Sequence, residues 1–145
     1  MQLITKYFNE MTTSELYEIL KVRAKIFVVE QNCVYQDLDD IDYKCLHIYY
    51  ENEGKILAYM RAFKKSDMPL TYQLGRVLTT THGIGLGAKL LKQGISYIRK
   101  TINPSVFYIE AQCYAIGFYE REGFHISSEE FLEDGIPHVQ MLLTF

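Results

Sequence analysis

Three cysteines, Cys33, Cys45 and Cys113, are the only cysteines among the 145 residues, and no two stand in a C-x-x-C spacing. An odd count without that spacing excludes a disulfide framework, and reduced thiols point to a cytoplasmic setting. The four histidines show no metal-ligand spacing with the cysteines, so no metal is expected. Lysine runs are missing beyond Lys64-Lys65, and the formal net charge is −3, which argues against nucleic acid or an anionic membrane surface as partner. Long apolar runs are missing too. The strongest, Ile26-Phe27-Val28-Val29, is far too short to cross a bilayer, and Lys6, Asn9 and Glu10 interrupt any signal-like segment near the N-terminus. No repeat, low-complexity stretch or Pro/Gly/Ser linker divides the chain. The expectation is one soluble domain over residues 1–145.

Hydrophobic residues make up 48% of the chain, enough for a packed core. Residues 2–8 read as a strand, and Thr12-Thr13-Ser14 offers an N-cap for a helix over 14–30. Leu16, Ile19, Leu20 and Phe27 line its apolar face, with Arg23 on the same side. Strand-like segments at 45–50, 55–63 and 70–79 are joined by Glu53-Gly54 and Ser66-Asp67-Met68-Pro69, which suggests an antiparallel meander. The period then changes: Leu86, Leu90, Leu91, Ile95 and Ile98 line one face of a helix over 85–100, stopped by Asn103-Pro104. Val106 to Ala111 is apolar on both faces except at Glu110, as an interior parallel strand reads. A short helix over 114–122 ends at Gly123, and segments 124–132 and 139–145 flank Asp134-Gly135 as a closing hairpin. The order β-α-β-β-β-α-β-α-β-β predicts a mixed sheet with helices packed on it.

Between the fourth strand and the second long helix runs His82-Gly83-Ile84-Gly85-Leu86-Gly87-Ala88. Glycines at alternate positions let the backbone approach a ligand, and the helix start adds free N–H groups and the positive end of its dipole. That combination seats an anion, most often a phosphate or pyrophosphate. A second motif, Gly117-Phe118-Tyr119-Glu120-Arg121-Glu122-Gly123-Phe124, follows about thirty residues later, and the pair is far more specific than either alone.

With this order, the chain resembles the GNAT superfamily of acetyltransferases over nearly its whole length. The resemblance implies an α+β fold with a mostly antiparallel sheet of six to seven strands flanked by helices. The family's acyl-CoA loop reads Arg/Gln-x-x-Gly-x-Gly/Ala; here His82 stands in place of the Arg or Gln. Val28-Val29-Glu30-Gln31-Asn32-Cys33, Tyr35-Gln36-Asp37 and Glu133-Asp134-Gly135-Ile136-Pro137-His138 are similar to the ElaA-type branch of that superfamily. By resemblance, acetyl-CoA is the acyl donor and a primary amine of a small molecule or peptide the acceptor, and a homodimer is implied. Val77, Leu78 and Thr79 would pair their backbone with the pantetheine arm. His82, Gly83, Ile84, Gly85, Leu86, Gly87 and Ala88 would hold the pyrophosphate, with Gln112 and Tyr119 also on the cofactor.

Direct acetyl transfer needs a neutral amine, a held thioester and a proton for the leaving thiolate. Tyr119 is the candidate acid, since the family places a hydroxyl there and a phenol is protonated at neutral pH. A half-buried core tyrosine is the structural alternative. Glu110, the lone charge in an apolar strand, is one candidate base, because a buried carboxylate holds a proton more readily. Glu30 and His138 compete with it, and relay through water would make all three unnecessary. Arg23, Glu30, Gln31, Asp37 and His138 are placed on the acceptor side. For Arg23 a buried pair with Glu30 or Asp37 is the competing use. The acidic run Asp37, Asp39, Asp40, Asp42 lacks the glycine and the final glutamate of a calcium loop, and reads as a solvated loop or an acidic mouth for a cationic amine.

Two rivals remain at this level. Gly83-x-Gly85-x-x-Ala88 also fits a dinucleotide fingerprint, with Glu110 as the ribose acid, but three meander strands precede the loop and little chain follows it. A GNAT fold that binds acyl-CoA without transferring the acyl group is the other.

Overall fold

The computed structural model describes residues 1–145. Strand β1 (Gln2–Tyr7) leads to helix α1 (Thr13–Arg23), which continues as π-helical turns over Ala24–Glu30. Then follow β2 (Leu46–Asn52), β3 (Lys55–Lys64), β4 (Thr71–Thr79), α2 (Leu86–Thr101), β5 (Val106–Gln112), α3 (Ile116–Arg121), β6 (His125–Ile126), β7 (Phe131–Glu133) and β8 (Ile136–Thr144). The strands form one sheet in the order β1-β2-β3-β4-β5-β8-β6, with β7 also paired to β8. Only β4 and β5 run parallel; every other pair is antiparallel. This is the expected mixed α+β architecture, with eight strands, and it is not the doubly wound parallel sheet that a dinucleotide fingerprint requires. No helix is long and apolar enough to cross a membrane.

Local chemistry accounts for most element boundaries. Thr12 Oγ1 accepts from the Glu15 N–H at 3.1 Å, and Glu15 Oε1 accepts from the Thr12 N–H at 2.8 Å, which closes a capping box on α1. The helix expected over 14–30 changes pitch at Ala24: the N–H groups of Gln31 and Cys33 reach back five residues, to Ile26 and Val28. Wide turns of this kind are rare inside helices and are found mostly at functional sites. At the other end of the chain, Asp134 and Gly135 both have positive φ (52° and 76°) and make the tight turn between β7 and β8. The strand expected over 124–132 is instead broken into β6 and β7, both paired to the long β8.

The sheet carries a hydrophobic core on each face. Helices α2 and α3 cover one, packing Leu90, Leu91, Ile95 and Ile98 on Ile48, Met60, Leu74 and Phe107. Helix α1 covers the other with Ile19, Val22 and Phe27 against Tyr49, Tyr59 and Leu78. Of the anticipated α1 face, Ile19, Arg23 and Phe27 are buried, whereas Leu16 and Leu20 lie at its margin.

A wedge opens in the middle of the sheet. Parallel pairing of β4 with β5 ends at Leu74 and Ile109, although both strands continue. Just beyond that point the β3–β4 register slips, and Arg76 has a φ of 52°, a bulge that turns the second half of β4 away from β5.

Candidate active site

The wedge leads into a cavity of about 970 Å³ that runs through the sheet. Its first wall is the free edge of β4. Val77, Leu78 and Thr79 line it with backbone groups that β5 no longer engages, so an extended ligand can add there in strand fashion. The wall continues into the glycine loop. Gly83 (φ 81°) and Gly85 (φ 72°) hold left-handed backbone that only glycine adopts without strain, and Gly85 is the N-cap of α2 without any side-chain cap. The helix start therefore presents uncapped N–H groups to the cavity.

Gly87 has a different task. A Cβ there would stand 3.2 Å from Thr79 Cγ2 and 3.6 Å from the Phe118 ring, so its absence lets the first turn of α2 close on β4 and α3. His82, Gly83, Gly85, Leu86, Gly87 and Ala88 all line the cavity. Ile84 does not: its side chain is largely exposed on the outside of the loop.

Tyr119 closes this half from α3. It is 7% exposed, packed edge-on against Phe118 and Phe124, and its hydroxyl makes no hydrogen bond within the protein. Burial, with a smaller contribution from Tyr114, pushes its phenol well above the ordinary value, so it keeps its proton throughout the neutral range. Tyr119 thus presents an unengaged O–H donor to the cavity.

The opposite half is polar. Glu110 and Gln112 project from β5, and Gln112 Nε2 donates to Gln31 Oε1 at 3.3 Å, which links β5 to the end of the π-helical turns. His138 on β8 is registered opposite Gln112 and stacks on Phe131. Glu133, from β7, reaches it with Oε2 3.4 Å from His138 Nε2. Burial, reinforced by the Glu110 carboxylate, raises the Glu133 carboxyl above its ordinary value.

Arg23, Glu30 and Asp37, expected on the acceptor side, are not brought to the cavity. Glu30 is exposed on the outer face of the π-helical turns. Arg23 is completely buried, with Nε donating to Asp37 at 3.0 Å and Nη1 to Asp42 at 2.7 Å. The pairing with Asp37 was the competing use named above; Glu30 takes no part in it. Asp37 in turn accepts from Arg76 Nε at 2.7 Å and from the Tyr35 hydroxyl at 2.9 Å. Arg61 completes the lattice with contacts to Asp39 at 2.6 Å and to Asp42 at 2.9 Å.

The acidic run is therefore neither a solvated loop nor an acidic mouth. Three arginines from α1, β3 and β4 offset three of its aspartates, and only Asp40 points to solvent. Burial opposes ionisation of Asp42, but the hydrogen bonds and charge of Arg23, with Arg61, outweigh it and hold the carboxyl below its ordinary range. Asp39 is held at about 2 in the same way, burial being outweighed by Arg61 and Arg76.

Arg61, Arg76 and Glu133 line the cavity without having been singled out from the sequence. For Glu133 a signal existed, since it opens the patch that ends at His138. For the two arginines nothing did: they read as ordinary strand charges until the loop folds over them.

Comparison with known proteins agrees with this geometry. A family model described as an acetyltransferase (GNAT) domain matches residues 12–145. A UPF0039 protein of Schizosaccharomyces pombe is 38% identical over 99% of this chain and 97% of its own length. Protein ElaA of Escherichia coli is 33% identical over 93% of this chain and 91% of its own. Among solved structures, an acyl-CoA N-acyltransferase from Pseudomonas aeruginosa superposes with a TM-score of 0.92 at 31% identity, covering 99% of this chain and 100% of that one. The E. coli ElaA structure superposes with a TM-score of 0.90 at 31% identity over 98% of both chains. A split β4–β5 pair, a glycine loop at the start of a helix and a sequence match over nine-tenths of the length lead to one assignment: the chain belongs to the GNAT acetyltransferase family, in its ElaA-like branch.

Proposed function

We propose that residues 1–145 form one acyltransferase domain that moves an acetyl group from acetyl-CoA directly to a primary amine. The observation that carries this reading is the cavity itself. It joins an edge strand and a glycine-rich helix start, suited to a pantetheine and a pyrophosphate, to an unengaged phenol and then to a polar chamber.

In this reading the backbone of Val77, Leu78 and Thr79 holds the pantetheine amides, and the N–H groups from His82 to Ala88 take the pyrophosphate. These contacts do not need the side chain of His82 or Ile84. Gln112 and Tyr119 lie against the reacting end. The acceptor nitrogen attacks the thioester carbonyl, the C–S bond breaks, and Tyr119 donates its proton to the departing thiolate. Gln31 and His138 face the acceptor, whereas Arg23 and Asp37 act from behind by holding the loop that walls it. Glu110 and His138 are the groups placed to relieve the acceptor of its proton. The protein works without a metal, in the cytoplasm, on a small-molecule or peptide amine; a homodimer follows the family resemblance alone.

Calorimetry with acetyl-CoA, CoA and NAD(H) tests the reading. Micromolar binding of acetyl-CoA with none of NAD(H) supports it, and preference for NAD(H) overturns it. Acetyl-CoA binding without CoA release across an amine panel would favour the non-catalytic acyl-CoA sensor.

A further inference from the structure

The wedge in the sheet opens at one strained residue. Tyr59 is registered with Leu78 and Arg61 with Gly75, so Met60 alone stands opposite both Arg76 and Val77, the two-against-one count of a β-bulge. Its left-handed position, φ 52°, is filled by Arg76 and not by the neighbouring Gly75. Such backbone strains a residue that carries a Cβ, whereas glycine holds it freely. Local hydrogen bonding also works against the open form. Leu74 pairs with Ile109 in parallel register, and without the bulge Arg76 and Val77 would continue that register onto Ala111 and Gln112. Backbone groups now left along the wedge would then find strand partners.

The arginine side chain supplies what the backbone lacks. Nε donates to Asp37 Oδ1 at 2.7 Å, Nη2 donates to the Asp37 carbonyl oxygen at 3.0 Å, and the guanidinium stands 5.7 Å from the centre of the Tyr35 ring. Nη2 also lies 3.4 Å from Asp39 Oδ2. Asp37 is itself anchored. Its Oδ2 and its carbonyl oxygen accept from the wholly buried Arg23 at 3.0 and 3.3 Å, and the Tyr35 hydroxyl donates to Oδ1 at 2.9 Å. One buried aspartate thus joins α1 to the bulge of β4. Charge-assisted bonding at two points fixes direction as well as distance. Glycine at position 76 would suit the backbone but has nothing to reach Asp37 with.

We propose, resting on the acyl-transfer reading, that Arg76 is a positioning residue: its two-point bond to Asp37 is a strut that holds the bulge, keeps β4 off β5 and leaves the Val77–Thr79 edge free for the acyl donor. The contacts to Asp37 offset the backbone strain at φ 52°, and the strain persists because the surrounding ion pairs fix it. The loop over residues 31–45 and the donor edge of β4 then form one mechanical unit. Arg76 need not touch the donor to set its affinity.

Two substitutions separate side chain from backbone. Arg76→Gln loses the ion pair and keeps a Cβ on left-handed backbone; Arg76→Gly loses the ion pair but removes the strain. Hydrogen–deuterium exchange without any ligand reads the wedge directly, with the amides of α2 as the folding control. In Arg76→Gln the wedge-facing amides of residues 76–79 and 110–112 should exchange about tenfold more slowly as the strands close, and in Arg76→Gly the slowing should be clearly smaller. The KM for acetyl-CoA should rise about tenfold in Arg76→Gln and about threefold in Arg76→Gly, with kcat the lesser effect in both. Arg76→Lys keeps the charge but bonds at one point, so it should fall between Arg76→Gln and the wild type, and it carries the comparison if Arg76→Gln does not fold. Unchanged exchange in the variants overturns the strut. Equal losses of affinity in Arg76→Gln and Arg76→Gly also overturn it, because the guanidinium would then be meeting the donor itself. Failure of the wild-type protein to bind acetyl-CoA overturns the acyl-transfer reading instead, while the ligand-free exchange still decides the strut.

Discussion

At the scale of single residues, burial decides which groups work as chemistry and which as scaffold. Tyr119 is buried among aromatic rings yet has no internal partner for its hydroxyl, whereas Tyr59, wholly buried, gives its hydroxyl to His47 Nδ1 at 2.6 Å. The first leaves its O–H free at the cavity; the second is locked into the core. Tyr119→Phe is accordingly expected to lower kcat about 10²-fold with acetyl-CoA affinity unmoved, read by thiol release and calorimetry. Unchanged turnover would remove Tyr119 from the mechanism. Asp42 belongs to the scaffold. It receives both Arg23 and Arg61, so Asp42→Ala leaves two buried guanidinium groups short of a partner and should cost about 3–5 kcal/mol of stability, measured by denaturant unfolding. Asp40→Asn, in the same run but exposed, should cost less than about 0.5 kcal/mol, because asparagine also tolerates the left-handed backbone at φ 66°.

At the scale of elements, the fit of α2 against β4 and α3 shapes the donor half of the cavity. Gly87→Val puts a branched side chain where Thr79 Cγ2 and the Phe118 ring already stand, and the helix start must move outward. The expected result is loss of measurable acetyl-CoA binding, together with a lower melting temperature. Gly85→Val reaches the same end by another route, since a β-branched residue at φ 72° is strained by about 1–3 kcal/mol. A valine at either position that still binds acetyl-CoA would sink the phosphate-cradle reading. On the polar side of the cavity the loop over residues 31–45 is held by charge. Ion pairs from three separate elements converge on it, which keeps a segment without strand pairing in one position over the wedge.

At the scale of the whole molecule, the same lattice makes stability depend on pH. His47 is buried, and burial lowers its affinity for a proton; Nε2–H donates to the Asp42 carbonyl oxygen at 3.0 Å while Nδ1 accepts from Tyr59. Its folded value lies below the unfolded one, so its contribution is complete above about pH 6.5 and is lost as pH falls below that. Asp39 and Asp42, whose folded values are also depressed, contribute fully above about pH 4 and lose that contribution as pH falls through their folded values, which for Asp39 lies at about 2. Thermal unfolding is therefore expected to show a first decline below about pH 6.5 and a steeper one below about pH 4. A melting temperature flat from pH 7 to pH 3 would contradict this account of the lattice.

The element order, the mixed sheet and the glycine-rich end of the cavity were legible from residue spacing. Helical and strand periodicities are local, and a glycine loop ahead of an amphipathic helix carries its meaning within a few residues. The break of the strand expected over 124–132 into β6 and β7 was not legible, because it arises from where the chain meets β8. The acceptor half was not legible either. Arg23, Asp37 and Asp42 lie 14 and 19 residues apart in the chain, and only folding shows that they neutralise one another. Glu133 and His138 are near in sequence, but that their side chains meet depends on a tight turn and on the Ile136 carbonyl fixing the imidazole. The sequence by itself determined the fold and the glycine-rich helix start, because both rest on local pattern. The charge balance around the polar half of the cavity was decided by tertiary structure alone, because charges cancel or add according to distance in space.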